Sequence, residues 1–138
     1  MRSAILAASL ALLGSGAFAA QSAFHIQRSV YIETVEDGTR VLEPATTLRK
    51  GDKVVLVTHW RGADEARRTM LSSSVPETLT YRGSGRAPQA VSADGGENWG
   101  QLGELRHDGR LADASDVTDL RWTLASKRGT LTWSAVVR

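Results

Sequence analysis

The stretch V-S-A-D-G-G-E-N-W, residues Val91 to Trp99, combines the end of a strand-like run with a tight-turn sequence. Glycine and aspartate readily take the positive φ angles that a tight turn between two strands requires. The Asp94 carboxylate can accept main-chain N–H groups across such a turn, and Trp99 can pack beneath it. The stretch therefore predicts a structural turn, formed by Ser92, Asp94, Gly95, Gly96 and Trp99.

Strand-like runs lie on both sides of this turn. Residues 24–35 alternate with a period of two, and residues 54–60 are apolar on both faces, as in a strand at the centre of a sheet. The other predicted strands are residues 40–43, 67–75 and 78–81, the run that enters the turn, 119–124 and 131–137. Residues 100–116 follow no period and predict a surface loop. Short strands separated by turn residues are typical of an all-β sandwich.

The first 20 residues have the organisation of a secretory signal peptide. Arg2 supplies the positive charge, residues 4–13 form an apolar run, and Ala17-Phe18-Ala19 has the small-x-small pattern of a cleavage site. We therefore expect export, with cleavage after Ala19 or Ala20. The apolar run is short for a membrane span, so we expect the mature protein to be periplasmic or secreted and not membrane-embedded.

Composition narrows the chemistry that the mature chain can perform. The sequence contains no cysteine, which excludes disulfides, thiol catalysis and Cys-ligated metal sites. Lys and Arg total 17 against 15 Asp and Glu, and loss of Arg2 with the signal leaves one excess positive charge. These charges are mixed along the chain, whereas nucleic-acid binding needs a clustered basic face. We expect residues 21–138 to form one domain with no nucleic-acid partner.

Five motifs, taken in order, resemble a family of prokaryotic extracellular repeat domains known as the domain of unknown function eleven. They are a Gly-Asp turn, a β-rich strand, a Pro-containing segment ending in Leu-Thr-Tyr, a Ser-x-Asp-Gly-Gly turn and an Arg-Trp strand. In this chain they occupy residues 51–52, 54–60, 75–81, 92–96 and 120–124. The resemblance implies an immunoglobulin-like β-sandwich of about seven to eight antiparallel strands in an exported protein.

The chain departs from that family in two respects. The family has an Asn-rich turn where this chain has Arg61-Gly62-Ala63-Asp64, and it commonly occurs in arrays where this chain has one copy. The resemblance brings no catalytic residues. Residues 92–99 also resemble the Asp-box of sialidase-like propellers, with Asn98 in place of Thr, but the chain is too short for several propeller blades. The box is structural in those enzymes, so it too favours a structural turn.

Acidic residues cluster in the irregular stretch. Clustered carboxylates in a loop suit a hard cation, so a calcium site formed by Asp108, Asp113 and Asp116 is one hypothesis. The spacing fits no EF-hand loop, and we prefer a solvated acidic loop. Neither the three histidines nor any serine lies in a metal-ligand spacing or a nucleophile motif, so we expect no catalytic residue and no cofactor.

The four tryptophans leave two interpretations open. Trp60, Trp99, Trp122 and Trp133 either pack in the core or form a surface on which sugar rings stack. We expect an exported structural or protein-interaction domain of the bacterial cell envelope, not an enzyme. Its partner would be another envelope protein, bound through an exposed sheet edge or through residues 100–116. The alternative is a small carbohydrate- or peptidoglycan-binding module that binds a surface glycan through exposed Trp residues.

Overall fold

The computed structural model describes residues 24–62 and 68–138. The expected signal peptide, its cleavage site at Ala19 and Ala20, and residues 63–67 lie outside the described residues. The described chain contains ten strands and one short 3₁₀ helix. The strands are β1 (His25–Glu36), β2 (Thr39–Pro44), β3 (Lys53–Arg61), β4 (Thr69–Ser74), β5 (Leu79–Ser84), β6 (Ala90–Ser92), β7 (Arg106–His107), β8 (Arg110–Leu111), β9 (Asp119–Leu124) and β10 (Arg128–Val137), and the helix is Ala114–Asp116.

The strands form antiparallel sheets. The larger sheet has five strands in the order β2-β1-β3-β10-β5, the smaller has the order β4-β9-β6, and β7 pairs with β8 alone. The β1–β2 connection is a two-residue turn in which Asp37 and Gly38 have φ angles of 49° and 79°. Two positive φ angles match the right-handed twist of the flanking strands, which explains why this Asp-Gly pair makes a hairpin. The prediction of an all-β protein is therefore confirmed.

Buried side chains from both larger sheets form one hydrophobic cluster. Alternation along β10 sends Leu131, Trp133 and Ala135 into the cluster, while Thr132 and Ser134 lie on the opposite face. The smaller sheet contributes Leu71 from β4 and Leu120, Trp122 and Leu124 from β9. We call the face of the five-stranded sheet that points away from this cluster its outer face.

The structure differs from the sequence predictions in the irregular stretch. The chain after Trp99 does not return as a strand, because only one isolated bridge joins Val91 to Gly100. Within residues 100–116, the two-residue strands β7 and β8 and the 3₁₀ helix supply the local order. These elements are too short to produce a detectable period in the sequence, and β7 and β8 pair apart from the two larger sheets, which contain five and three strands.

Candidate functional site

The predicted Asp-Gly-Gly turn is held by its own side chains. Ser92 is fully buried, and its Oγ donates to Asp94 Oδ1 (2.8 Å) and accepts from the main-chain N–H of Gly96 (2.9 Å). The Asp94 carboxylate accepts from the main-chain N–H of Asn98 (2.9 Å) and from its side-chain amide (2.6 Å). Gly95 and Gly96 have φ angles of 75° and 90°, which other residues adopt only with strain.

The same bonds set the electrostatics of the turn. Hydrogen bonds from the main chain and side chain of Asn98, together with one from Ser92, lower the pKa of Asp94 from 3.8 to about 2. Trp99 donates its indole N–H to the carbonyl oxygen of Gly96 (2.8 Å), and the Arg121 guanidinium lies 4.1 Å from its ring centroid. The acceptor oxygens of Asp94 are used inside the turn, so this carboxylate stabilises the loop.

The acidic stretch is organised around an arginine. The Arg110 guanidinium binds both carboxylate oxygens of Asp116 at 2.7 Å, and Asp113 caps the 3₁₀ helix by accepting from the Ser115 N–H at 2.8 Å. These bonds lower the pKa of Asp113, and that of Asp116 falls to about 2. The exposed Asp108 lies 3.3 Å from His107 instead. Within residues 24–62 and 68–138, no group of three His, Asp or Glu side chains is arranged to hold a metal ion.

The tryptophans do not form the sugar-stacking surface that one interpretation requires. Trp60, Trp122 and Trp133 are 5%, 2% and 2% exposed, because each lies on the buried side of its strand. Trp99 is half-buried, with Arg121 over its ring. His59 is exposed, shares a 2.8 Å hydrogen bond with the Thr130 hydroxyl, and belongs to no group of three potential metal ligands among the described residues. These three buried tryptophans therefore pack in the hydrophobic core.

Exposed apolar side chains concentrate in the first part of the described chain. Six of the nine large hydrophobic residues that are exposed lie between residues 24 and 48, and those in β1 and β2 are distributed over both faces of the sheet. They are Phe24, Ile26, Val30, Val35, Leu42 and Leu48. Neither β1 nor β2 contains a buried residue. Ile26 pairs with the buried Trp60 and shares its face, yet it is 39% exposed. The three-stranded sheet therefore leaves the β1–β2 end of the larger sheet uncovered.

In the part of the chain that the structure describes, strand β2 is paired on one side only and forms an edge of the larger sheet. One hydrogen bond fixes which of its main-chain groups face away from β1. The Ala45 N–H donates to the Val30 carbonyl oxygen at 2.9 Å, so the main-chain N–H and C=O groups of the odd-numbered residues in this segment point toward β1. By the alternation of an antiparallel ladder, the N–H and C=O groups of Arg40 and Leu42 face away from β1. Pro44 has no N–H and limits the edge at its end. The edge thus offers two donors to an added strand.

A shallow groove crosses the outer face of the larger sheet. It consists of two cavities of about 350 and 360 Å³ that share Arg40 and Ser134. We call it the outer groove; its polar and small lining residues are Glu33, Arg40, Lys53, Arg82, Gly83, Ser84, Gly85, Thr132 and Ser134. Glu33 forms an ion pair with Arg40, and that hydrogen bond lowers the pKa of Glu33, with Lys53 acting in the same direction.

Neither the open edge nor the outer groove was identified as a site from the sequence. The groove draws on five strands, and its cations are far apart along the chain, so no local motif marks it. The only available signal was the Thr and Ser alternation in residues 130–134, which places hydroxyl groups on the outer face. The β2 edge was foreseen only as the general possibility of an exposed sheet edge, since strand order is a property of the whole fold.

Comparisons with protein-family models, curated proteins and solved structures gave no significant match to this chain. The structure defines an all-β protein built from antiparallel sheets. Within the part of the chain that the structure describes, no helix has the length and apolar character needed to cross a membrane.

Proposed function

We propose that this protein is an exported protein-interaction domain of the bacterial cell envelope, without catalytic activity, and that its fold is an immunoglobulin-like β-sandwich. Two antiparallel sheets that share one buried cluster support the sandwich. The signal-like N-terminus and the resemblance to the extracellular repeat family support the exported setting.

The observation that carries the interaction role is the edge of β2, which has exposed apolar side chains on both faces of the sheet beside it. The main-chain groups of Arg40 and Leu42 are directed away from the sheet, where an extended segment can pair with them. Leu42 lies on the outer face and Val41 on the other, so an added strand would meet an apolar side chain on each side. The partner that fits is an extended segment of another envelope protein, with apolar residues at two successive positions.

The hypothesis of a sugar-binding module that uses exposed Trp residues receives no support from the site, because three of the four indoles are buried. Residues 100–116 are a weaker candidate for partner binding. The charges of Arg110 and Asp116 are paired with each other in this stretch. Leu102 and Leu111 are its only large apolar side chains that are exposed.

Site-specific photocrosslinking in the native envelope tests this proposal. A photoreactive amino acid at position 42 should give one crosslinked partner, because that side chain lies beside the pairing edge. The same amino acid at Met70, which is 52% exposed on β4, provides the matched control. Equal crosslinking from both positions, or crosslinking from Leu111 alone, would contradict the proposed edge.

A further inference from the structure

We propose that the outer groove binds an acidic saccharide, with Lys53 and Arg82 holding its carboxylates and the hydroxyl groups of Thr132 and Ser134 contacting its sugar rings. Arg40 borders both this site and the β2 pairing edge, but the proposed ligand contacts come from β3, β5 and β10 and do not depend on pairing at that edge. Its volume falls in the range of sites that bind small ligands.

The charge of the groove favours an anion. Three cationic side chains and one carboxylate line it, and Arg40 and Glu33 neutralise each other as an ion pair. Lys53 and Arg82 remain, and neither forms an ion pair with another described residue. Both side chains are exposed to solvent and are therefore accessible to a ligand. Arginine and lysine are the side chains that bind carboxylates best.

An irregularity in the sheet helps to place Arg82. The register of β5 against β10 shifts between Ser134, which pairs with Gly83, and Ala135, which pairs with Tyr81. Arg82 is the extra residue of this β-bulge, and it lines the groove together with Ser134. Bulges redirect side chains and are frequent beside binding sites.

The spacing of the two cations favours an extended ligand over a compact ion. Lys53 lies on β3 and Arg82 on β5, with β10 between them, so their main chains are about 10 Å apart at two strand spacings. A single phosphate requires donors that converge on one point, whereas separated cations suit charges repeated along a chain.

The floor of the groove favours a saccharide over an acidic peptide. It carries the hydroxyl groups of Thr132 and Ser134, while Gly83 and Gly85 leave it free of larger side chains. The Ser84 hydroxyl is directed instead to the buried Tyr81 hydroxyl at 2.8 Å. Part of the floor belongs to β10, which pairs with β3 on one side and β5 on the other. A peptide therefore finds no free edge of β10 with which to pair, whereas sugar hydroxyls need only side-chain partners.

Titration of the full mature chain with trigalacturonic acid tests the proposal, with amide chemical shifts in NMR as the readout. We expect saturable shifts at Lys53, Arg82, Thr132 and Ser134, and weaker binding at high salt. The double variant Lys53→Gln/Arg82→Gln should raise the Kd by about tenfold or more, since each change removes a charged hydrogen-bond donor. Both substitutions are on the surface, so the fold is expected to be retained.

The controls separate this site from general attraction to positive charge. The double variant Lys50→Gln/Arg28→Gln removes the same charges from exposed positions outside the groove lining and should leave the Kd unchanged. Equal weakening by both double variants, absence of saturation up to about 10 mM ligand, or equally tight binding of a neutral trisaccharide would overturn the proposal. Equal affinity for triglutamate or inorganic phosphate at the same residues would replace the saccharide by an acidic peptide or a simple anion.

Discussion

Gly129 lies directly opposite Trp60 in the β3–β10 ladder, and the indole ring of Trp60 covers the glycine Cα. Trp60 is 5% exposed, and its indole N–H donates to the Ser126 carbonyl oxygen at 3.1 Å. A Cβ atom at position 129 would collide with this ring. The glycine is therefore required by packing and not by the turn that precedes it.

Gly129→Ala should lower the free energy of unfolding by about 2 kcal/mol, because the ring must move out of a packed position. Urea denaturation followed by tryptophan fluorescence measures the change. Gly83→Ala is the matched control, since a Cβ there would meet no atom within 4 Å. Equal destabilisation by the two variants would show that loss of glycine itself, and not the Trp60 contact, is responsible.

The sequence predicted strands best where alternation was strict. Residues 119–124 coincide with β9, and the predicted run 24–35 differs from β1 by one residue at each end. The Asp-Gly pair at 37–38 correctly placed the first hairpin, because its turn chemistry is local. Alternation also indicated a row containing Leu131, Trp133 and Ala135, which are buried in the structure.

Alternation alone could not show which apolar rows are covered. Ile26 and Val30 alternate as regularly as the row in β10, yet they are 39% and 36% exposed. Their burial depends on how many strands the second sheet has, and pairing between distant strands is not recorded in any local pattern. For the same reason the outer groove, which is assembled from β2, β1, β3, β10 and β5, could not be foreseen.

The direction of the main-chain groups in β2 predicts that proline is tolerated at one of two neighbouring positions and destabilising at the other. Leu42→Pro removes an N–H that faces the open edge, so stability should change by less than about 0.5 kcal/mol. Val41→Pro removes an N–H that faces β1 and should cost about 2 kcal/mol. Thermal unfolding of the two variants gives the comparison.

The Leu42→Pro variant also tests the proposal that a partner pairs with the edge of β2. In the native envelope, Leu42→Pro should abolish crosslinking from a photoreactive residue at the neighbouring position 40 while the protein remains folded. Persistent crosslinking in a folded Leu42→Pro protein would mean that the partner uses side chains and not the main chain of β2.

Calcium should have no effect on stability. Arg110 binds both carboxylate oxygens of Asp116, and the Asp113 carboxylate accepts a hydrogen bond from the Ser115 main-chain N–H. A cation would therefore have to displace a bidentate ion pair. We expect the same melting temperature with excess Ca²⁺ and with a chelator. Arg110→Gln frees the Asp116 carboxylate and serves as the control that can acquire weak calcium dependence. A Ca²⁺-dependent rise in the wild-type melting temperature would restore the calcium hypothesis.

The Asp94 carboxylate should make the stability of the turn depend on pH. Its folded-state pKa is about 2, below the ordinary 3.8, because Asn98 and Ser92 donate hydrogen bonds to it. A lowered folded-state pKa means that the contribution is fully present above pH 3.8 and is lost as the pH falls through about 2. Asp94→Ala should therefore lower the melting temperature at pH 7 by more than it does at pH 2.

Glu97→Ala provides the control for that comparison, because Glu97 is an exposed side chain on the same turn. It should leave the melting temperature unchanged at both pH values. In the Asp94→Ala variant, a photoreactive residue at position 42 should still crosslink to the partner. The reason is that the turn lies on the three-stranded sheet, whereas the pairing edge lies on the five-stranded sheet. If crosslinking were lost while the melting temperature stayed the same, Asp94 would be a binding residue, and its bonds to Asn98 and Ser92 would serve to orient it toward a ligand.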